Sequence, residues 1–454
     1  MSELPKGLER GERARLFPVL AETSKEGRTA SVFLACMANV HEYGRALLLS
    51  LGQRVGSRAR IESYTEIGFS TKRDESKLRP DGLIVLKVGS KEWRALVEAK
   101  VGSNELTAEQ VDAYIDLAQA NGVDAVITIS NQFGATPQHH PVNVKNRRSS
   151  KVQLFHWSWM YLLTEADLLL SNNQIVDDDQ RYILDELNRF LLHPSAGVKG
   201  FDKMPLAWNE LTQKINAGGA ITPNSTEVEE VVGAWHQEIR DLTLILSRQV
   251  GVQVTTKLAR HHMADRIVRL KDDMAKLAES KCLAATLIVP GAVGPIEVVV
   301  DMIRRTVGAT VRMKAPEDRQ STKARVNWLL RQLHNAPPEN LHIRLHWPGR
   351  GAHTQHSLSE LHDDITLAEE DRPGIQVSSL EVCMVRHLAG RFTQSKNFIV
   401  DLEKAIPDFY ESVVQHLKAW QAPAPRMRED RTEAADVAPD ALAEDAEDAA
   451  IRDT

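Results

Sequence analysis

Pro80-Asp81, Glu98-Ala99-Lys100 and Gln110-x-x-x-Tyr114 follow one another within one short stretch of this 454-residue chain. Hydrolysis of a phosphodiester can use residues of these types in this order. Two carboxylates held close together repel unless a cation sits between them. A hard divalent ion such as Mg²⁺ or Mn²⁺ suits that position, because it takes oxygen ligands, keeps several waters and is commonly held by one or two carboxylates plus substrate phosphate oxygens. Such an ion lowers the pKa of its bound water and steadies a leaving oxygen. A neighbouring ammonium orients the attacking water and offsets charge developing at phosphorus. Asp81, Glu98 and Lys100 are therefore the candidate catalytic residues.

The elements that must position them read as a hairpin. Residues 82–88 and 91–97 are two strand-like runs joined by Gly89-Ser90, a favoured two-residue turn. Pairing Val88 with Lys91 sets Lys87 opposite Glu92, Val85 opposite Arg94, Leu83 opposite Leu96 and Asp81 opposite Glu98, about 5 Å apart. Lys100, two residues past Glu98, projects from the same face. A looser loop over 89–92 places Asp81 opposite Lys100 instead and keeps all three on one face. Leu83 and Leu96 on one side and Ile84 and Val97 on the other predict a covered central sheet, where charges need a reason. The alternative is an ordinary cross-strand ion pair between Asp81 and Lys100.

Around the hairpin, Thr107-Ala-Glu-Gln110 opens a helix that ends at Asn121-Gly122, with Gln110, Tyr114, Leu117 and Asn121 along one stripe. Residues 123–129 and 151–157 read as buried strands. Upstream, Thr29 to Leu51 forms an amphipathic helix with Phe33, Met37, Val40, Gly44, Leu47 and Leu51 on one face, followed by a strand at 60–69. The expected order is helix, three strands, helix, strand, strand.

This order and these residues resemble the PD-(D/E)XK nuclease superfamily over roughly residues 20–160. The resemblance implies an α/β, restriction-endonuclease-like mixed sheet flanked by helices, with the motif on its second and third strands. It also implies a divalent-metal-dependent endodeoxyribonuclease in which Asp81 and Glu98 bind Mg²⁺ or Mn²⁺. The backbone carbonyl of Ala99 would be a further ligand and Lys100 the catalytic lysine. Gln110 and Tyr114 look like the QxxxY element of the RecB-type branch, which contacts the site or the nucleic acid. Their plainer readings are a capping box closed on Thr107 and a core aromatic. Many members add an acid from the first helix. Glu42 points away from the apolar stripe, whereas Glu26 falls onto it if the helix extends to Thr23. Glu26 is the favoured candidate, with a capping box from Thr23 as its alternative role.

Composition is consistent with an enzyme of the cytoplasm. The chain is too long for one core, so two or three domains are expected. Cys36, Cys282 and Cys383 are scattered and odd in number, which reads as buried free thiols in a reducing compartment. Neither a leader nor an apolar run long enough to span a membrane is apparent. The net charge of −6 equals that of residues 422–454 alone, which hold ten acidic and four basic residues, so the remainder is about neutral. That acidic stretch, from residue 421, is expected to be disordered.

The expected organisation is a nuclease-like core over 1–157, a helical extension over 158–215, a boundary at 216–225, and an α+β domain over 226–420 matching no recognised family. In this last domain helices are expected at 225–250, 263–280, 322–333 and 405–420, with strands at 283–290, 296–302, 309–313, 341–347 and 376–386. It is the candidate receiver of substrate, a partner protein or an activating signal, and self-association is left open. His139-His140, His261-His262, His342/His346 and His353/His356 lack cysteines at ligand spacing, so they read as loop and strand histidines rather than zinc ligands. Two functions from different classes follow: a metal-dependent nuclease acting on DNA, with a bacterial antiphage role by analogy only, or a nuclease-fold nucleic-acid-binding or scaffold protein without turnover.

Overall fold

The apolar runs on either side of Gly89-Ser90 form the hairpin at the centre of a six-stranded sheet. A computed structural model describes residues 8–17, 25–56, 58–69, 79–144, 151–370 and 372–421. The first unit contains β1 (Leu8–Arg13), α1 (Lys25–Asn39), α2 (His41–Ser50), β2 (Arg60–Phe69), β3 (Gly82–Val88), β4 (Lys91–Ala99), α3 (Ala108–Ala120), β5 (Ala125–Ser130), β6 (Gln153–Ser158), α4 (Trp159–Ser171) and α5 (Asp178–Leu192). Its strands lie in chain order, with β1 to β4 antiparallel and β5 and β6 added in parallel. Val88 pairs with Lys91, Lys87 with Glu92, Val85 with Arg94 and Leu83 with Leu96, as the two-residue turn predicts. Gly89 makes that turn with φ +62°, a conformation favoured by glycine.

Helices cover both faces of this sheet. Ile84, Leu86, Val97, Ile127 and Phe155 pack with Phe33, Met37 and Leu47 of α1 and α2, whereas Leu83, Val85, Leu96 and Val126 pack with Val111, Tyr114 and Ile115 of α3. The expected single helix over 29–51 is two, because Val40 is extended at φ −102°, ψ 103°. Val40 is itself fully buried, which explains why the apolar stripe runs through the break. Strand β1 was not expected. Its sequence, LERGER, lacks apolar alternation, as suits an edge strand, and Arg13 ties it to Glu62 of β2 at 3.1 Å.

The second unit contains α6 (Ala207–Asn216), α7 (Thr226–Val250), β7 (Thr255–Thr256), α8 (Arg260–Ala264), α9 (Arg266–Ser280), β8 (Cys282–Ile288), β9 (Ile296–Asp301), β10 (Thr306–Lys314), α10 (Thr322–Gln332), β11 (Leu341–His346), β12 (Thr354–Ser357), α11 (Leu358–Asp363), α12 (Leu367–Glu370), β13 (Ser379–His387) and α13 (Ser395–Ser412). Its antiparallel sheet has seven strands in the order β12-β11-β13-β10-β9-β8-β7. The helix expected at 405–420 starts ten residues earlier. Phe398, Leu402, Ile406 and Phe409 set its buried face, and Pro407 lies inside it. The helix expected at 263–280 is interrupted at Asp265, whose carboxylate caps α9 by accepting the Ile267 N–H at 2.8 Å.

The expected extension over 158–215 divides between the two cores. Helices α4 and α5 belong to the first. Trp208 of α6 stacks on Phe392 and Phe398 and donates its indole N–H to the Phe392 carbonyl at 2.8 Å, which places α6 in the second. The loop at 216–225 therefore joins two helices of one core. Helix α7 serves both units: Val231, Trp235 and Leu242 face the second core and Leu244 the first. Cys36 and Cys383 are buried free thiols, but Cys282 is partly exposed. No helix among the described residues is long and apolar enough to cross a membrane. The acidic stretch from 422 and the Thr23 capping box lie outside the described residues.

Candidate active site

Asp81, Glu98 and Lys100 meet where β3 and β4 end away from their turn. The last paired residues of the hairpin are Gly82 and Val97, and just beyond them Asp81 Oδ2 accepts the Ala99 N–H at 2.8 Å. Lys100 Nζ lies 2.8 Å from Glu98 Oε1 and 3.4 Å from Glu26 Oε2. The other Glu26 oxygen accepts from Asn104 at 2.7 Å. The structure thus brings together Glu26, Asp81, Glu98 and Lys100. No contact with this cluster is seen for Glu42, which lies in the first turn of α2.

Local packing holds these groups in place. A Cβ on Gly82 would sit 2.4 Å from Leu34 and 2.9 Å from the Tyr64 carbonyl, so the residue after Asp81 must be glycine for α1 to lie this close. That approach brings the first turn of α1, with Glu26, to the end of the sheet. The Lys100 backbone is clamped on both sides: its N–H donates to the Ile129 carbonyl and its own carbonyl accepts the Trp159 indole N–H, each at 2.8 Å. The Gly102 N–H donates to the carbonyl of Gly197, a residue at φ +72° packed against Val101.

Gln110 and Tyr114 separate in role. Gln110 and Thr107 form a reciprocal capping box at the start of α3, so the hydrogen bonds of Gln110 serve the helix. Tyr114 is buried one turn later and faces the carboxylates. Burial, and after it the charge of Glu98, push its phenol pKa well up. The tyrosine still leaves Glu98 Oε2 buried without a hydrogen-bond partner among the described residues.

The electrostatics of the pair are of the kind that a divalent cation would relieve. Burial, and next the Glu98 charge, push Asp81 up to about 7, against the opposing Ala99 hydrogen bond and Lys100. For Lys100, burial disfavours the ammonium, but the hydrogen bond and charge of Glu98 outweigh it and the pKa rises. Glu62 on β2 is the instructive contrast. It is equally buried but paired with Arg13, Arg60 and Lys87. There burial is overcome by hydrogen bonds from Lys87, Tyr64 and Arg13, which hold its pKa down to about 2. Glu62 is a satisfied structural ion, whereas Glu98 keeps an unused buried oxygen. An orphaned carboxylate oxygen beside a second carboxylate fits a divalent cation.

Two further features were not read from the sequence. Thr128 lies beside Glu98 in the parallel pairing, and His156 beside Thr128. The Thr128 hydroxyl lies 2.8 Å from both His140 Nε2 and His156 Nδ1, and burial lowers the His156 pKa to about 4. The available signal was the change from apolar to polar along one face, from Val126 to Thr128 and from Leu154 to His156. A cleft of about 300 Å³ also opens beside Asp81, lined by charges of both signs: Arg13, Arg15 and Arg79 with Glu12 and Glu66. Its arginines come from the end of β1, the residues just after it and the segment preceding β3, far apart in sequence.

No family model matches the chain, and no curated protein or solved structure matches it.

Proposed function

We propose that this chain is a divalent-metal-dependent nuclease of the PD-(D/E)XK type that hydrolyses phosphodiester bonds, with DNA as the preferred substrate. The observation that carries the reading is the convergence of Asp81, Glu98 and Lys100 with one buried Glu98 oxygen left unpartnered. The cleft that reaches Asp81 gives a phosphodiester a path to the cluster, with Arg79 on its wall beside the mixed charges of Glu12, Arg13, Arg15 and Glu66.

Asp81, Glu98 and the Ala99 carbonyl would hold Mg²⁺ or Mn²⁺, which when bound supplies an acidified water and charge stabilisation for the leaving oxygen. Glu26 would complete the acidic shell from α1. Lys100 keeps its proton at Nζ, where it orients water and offsets negative charge on the phosphoryl oxygens. Tyr114 closes the site toward α3 and shields the carboxylates from bulk water. The unit containing β7 to β13 would read substrate, a partner protein or an activating signal. Antiphage defence is the biological setting that analogy favours.

The test is cleavage of single- and double-stranded DNA and of RNA by the purified full chain with Mg²⁺, Mn²⁺ or chelator. The reading requires metal-dependent cleavage that disappears in Asp81→Ala, Glu98→Ala and Lys100→Ala. Equal cleavage by all three variants would mean a contaminant or a wrong site. One observation favours the second reading, a binding or scaffold protein: Lys100 is already engaged by both Glu98 and Glu26, as in a structural ion-pair network. Tight nucleic-acid binding without metal-dependent turnover would select it.

A further inference from the structure

We propose that His261, His262 and Asp272 form a second metal site, chemically distinct from the carboxylate cluster, that takes Zn²⁺ or a similar transition-metal ion. Two histidines that the sequence presents only as neighbours are turned by the fold onto one carboxylate. His262 Nε2 lies 2.8 Å and His261 Nε2 3.6 Å from the same oxygen, Asp272 Oδ2. One ligand atom from each of the three residues lies within 4.8 Å of the other two. Zn–N and Zn–O bonds of about 2.0–2.1 Å place tetrahedral ligands about 3.3 Å apart. The two separations to Asp272 lie on either side of that value, and the two imidazole nitrogens lie within 4.8 Å of each other, so side-chain shifts bring all three onto one ion.

Burial divides the ligands as such a site needs. The His262 side chain is 11% exposed and packed in place, whereas those of His261 and Asp272 are 62% and 47% exposed. That leaves one side open for water or a fourth ligand. Two imidazoles and one carboxylate favour Zn²⁺ and its neighbours, while an oxygen-only cluster favours Mg²⁺ and Mn²⁺. The two sites would therefore be filled by different ions from the same solution.

The position gives the ion a mechanical role. His261 and His262 lie on α8, a five-residue helix, and Asp272 lies on α9. Between the histidines and Asp265 is Met263, whose carbonyl is 2.8 Å from His139 Nε2 of the first unit. Arg266 of α9 donates to the Pro141 carbonyl of that same loop at 3.3 Å. An ion on His261, His262 and Asp272 would pin α8 to α9 where the second unit grips the loop following β5.

The test uses the full chain carrying Asp81→Asn, so that the carboxylate cluster does not dominate metal binding. After stripping with chelator, it is titrated with Zn²⁺ by calorimetry and with Co²⁺ by visible absorption. The proposal expects one Zn²⁺ per chain at micromolar affinity or tighter, the intense bands of tetrahedral Co²⁺, and no competition from millimolar Mg²⁺. His262→Ala and Asp272→Asn should each weaken Zn²⁺ binding about a hundredfold. Since His261 is exposed, His261→Ala should keep the fold and weaken binding at least tenfold. This variant decides the matter if His262→Ala misfolds. Absence of Zn²⁺ binding, or the same affinity in His261→Ala as in its parent, would overturn the proposal. Neither result depends on whether the chain cleaves nucleic acid.

Discussion

The Glu26 carboxylate on the first turn of α1 lies 3.4 Å from the Lys100 ammonium just past β4. A helix from one face of the sheet thereby supplies an acid to a site on the other. The approach depends on Gly82, where any side chain would strike Leu34. It also means that Lys100 divides its charge between Glu26 and Glu98. A cation on Asp81 and Glu98 would compete for the Glu98 carboxylate and leave Lys100 freer to meet a phosphate.

Substitutions that remove one charge at nearly constant shape should separate chemistry from folding. Asp81→Asn, Glu98→Gln and Lys100→Met should each lower metal-dependent DNA cleavage about a hundredfold or more, the scale on which a pre-organised electrostatic group contributes. Single-turnover cleavage at saturating Mg²⁺ measures this. Retention of rates within a few-fold by all three would remove the cluster from the mechanism.

Asp81 should impose a distinctive dependence on pH. Its pKa rises from 3.8 to about 7 in the fold, so the folded state holds this proton more tightly than the unfolded chain. The stability of metal-free protein should then fall as pH rises through that window. Asp81→Asn does not titrate. Its stability relative to wild type should therefore improve from about pH 4 to about pH 7 and level off above. Glu238, Asp241 and Glu403, raised chiefly by burial, act in the same direction but are common to both proteins and cancel. Mg²⁺ should stabilise wild type more than the variant, with the gap widening as Asp81 ionises, because a ligand of the native state shifts unfolding by mass action. Chemical denaturation in chelator and in Mg²⁺ checks both halves. A variant that unfolds more readily than wild type throughout in chelator would make Asp81 a structural acceptor for the Ala99 N–H; the expected alternative, an ion pair between Asp81 and Lys100, is not formed, since Lys100 pairs with Glu98 and Glu26.

Helix α3 offers an internal control. Gln110→Ala removes half of the capping box and should cost about 0.5–1 kcal/mol of stability, with cleavage per folded molecule unchanged. Tyr114→Phe removes the hydroxyl facing Glu98 and should leave stability within about 0.5 kcal/mol of wild type, while lowering cleavage or shifting its pH profile. If Gln110→Ala loses cleavage without losing stability, its side chain serves the site as well as the helix.

Trp208 should anchor α6 to the second unit. Trp208→Ala removes a buried ring stacked on Phe392 and Phe398 and should cost about 3–5 kcal/mol. Proteolysis in the exposed loop at 216–225 should give two fragments that co-elute under native conditions, because α6 and α7 share one core. Fragments that separate without denaturant would show that the loop divides independent units.

The residues that could do chemistry, the hairpin between them and its register were legible in the sequence, because a two-residue turn and period-two alternation are local constraints. The α3 capping box was equally local. Most strands of the second sheet could be read from their apolar runs, but their order could not, since it depends on contacts between distant segments. Helical periodicity already favoured Glu26 over Glu42, but only tertiary structure brought Glu26 to Lys100, through the bare backbone at Gly82. It also moved α6 into the second core, because Trp208 finds its partners at 392 and 398, far along the chain. The polar edge strand β1 was invisible to hydrophobic patterning, as its register rests on pairing and charge. The same physics governs His261, His262 and Asp272. Adjacent histidines carry no geometric information until two helices and the turn at Asp265 aim both rings at one oxygen.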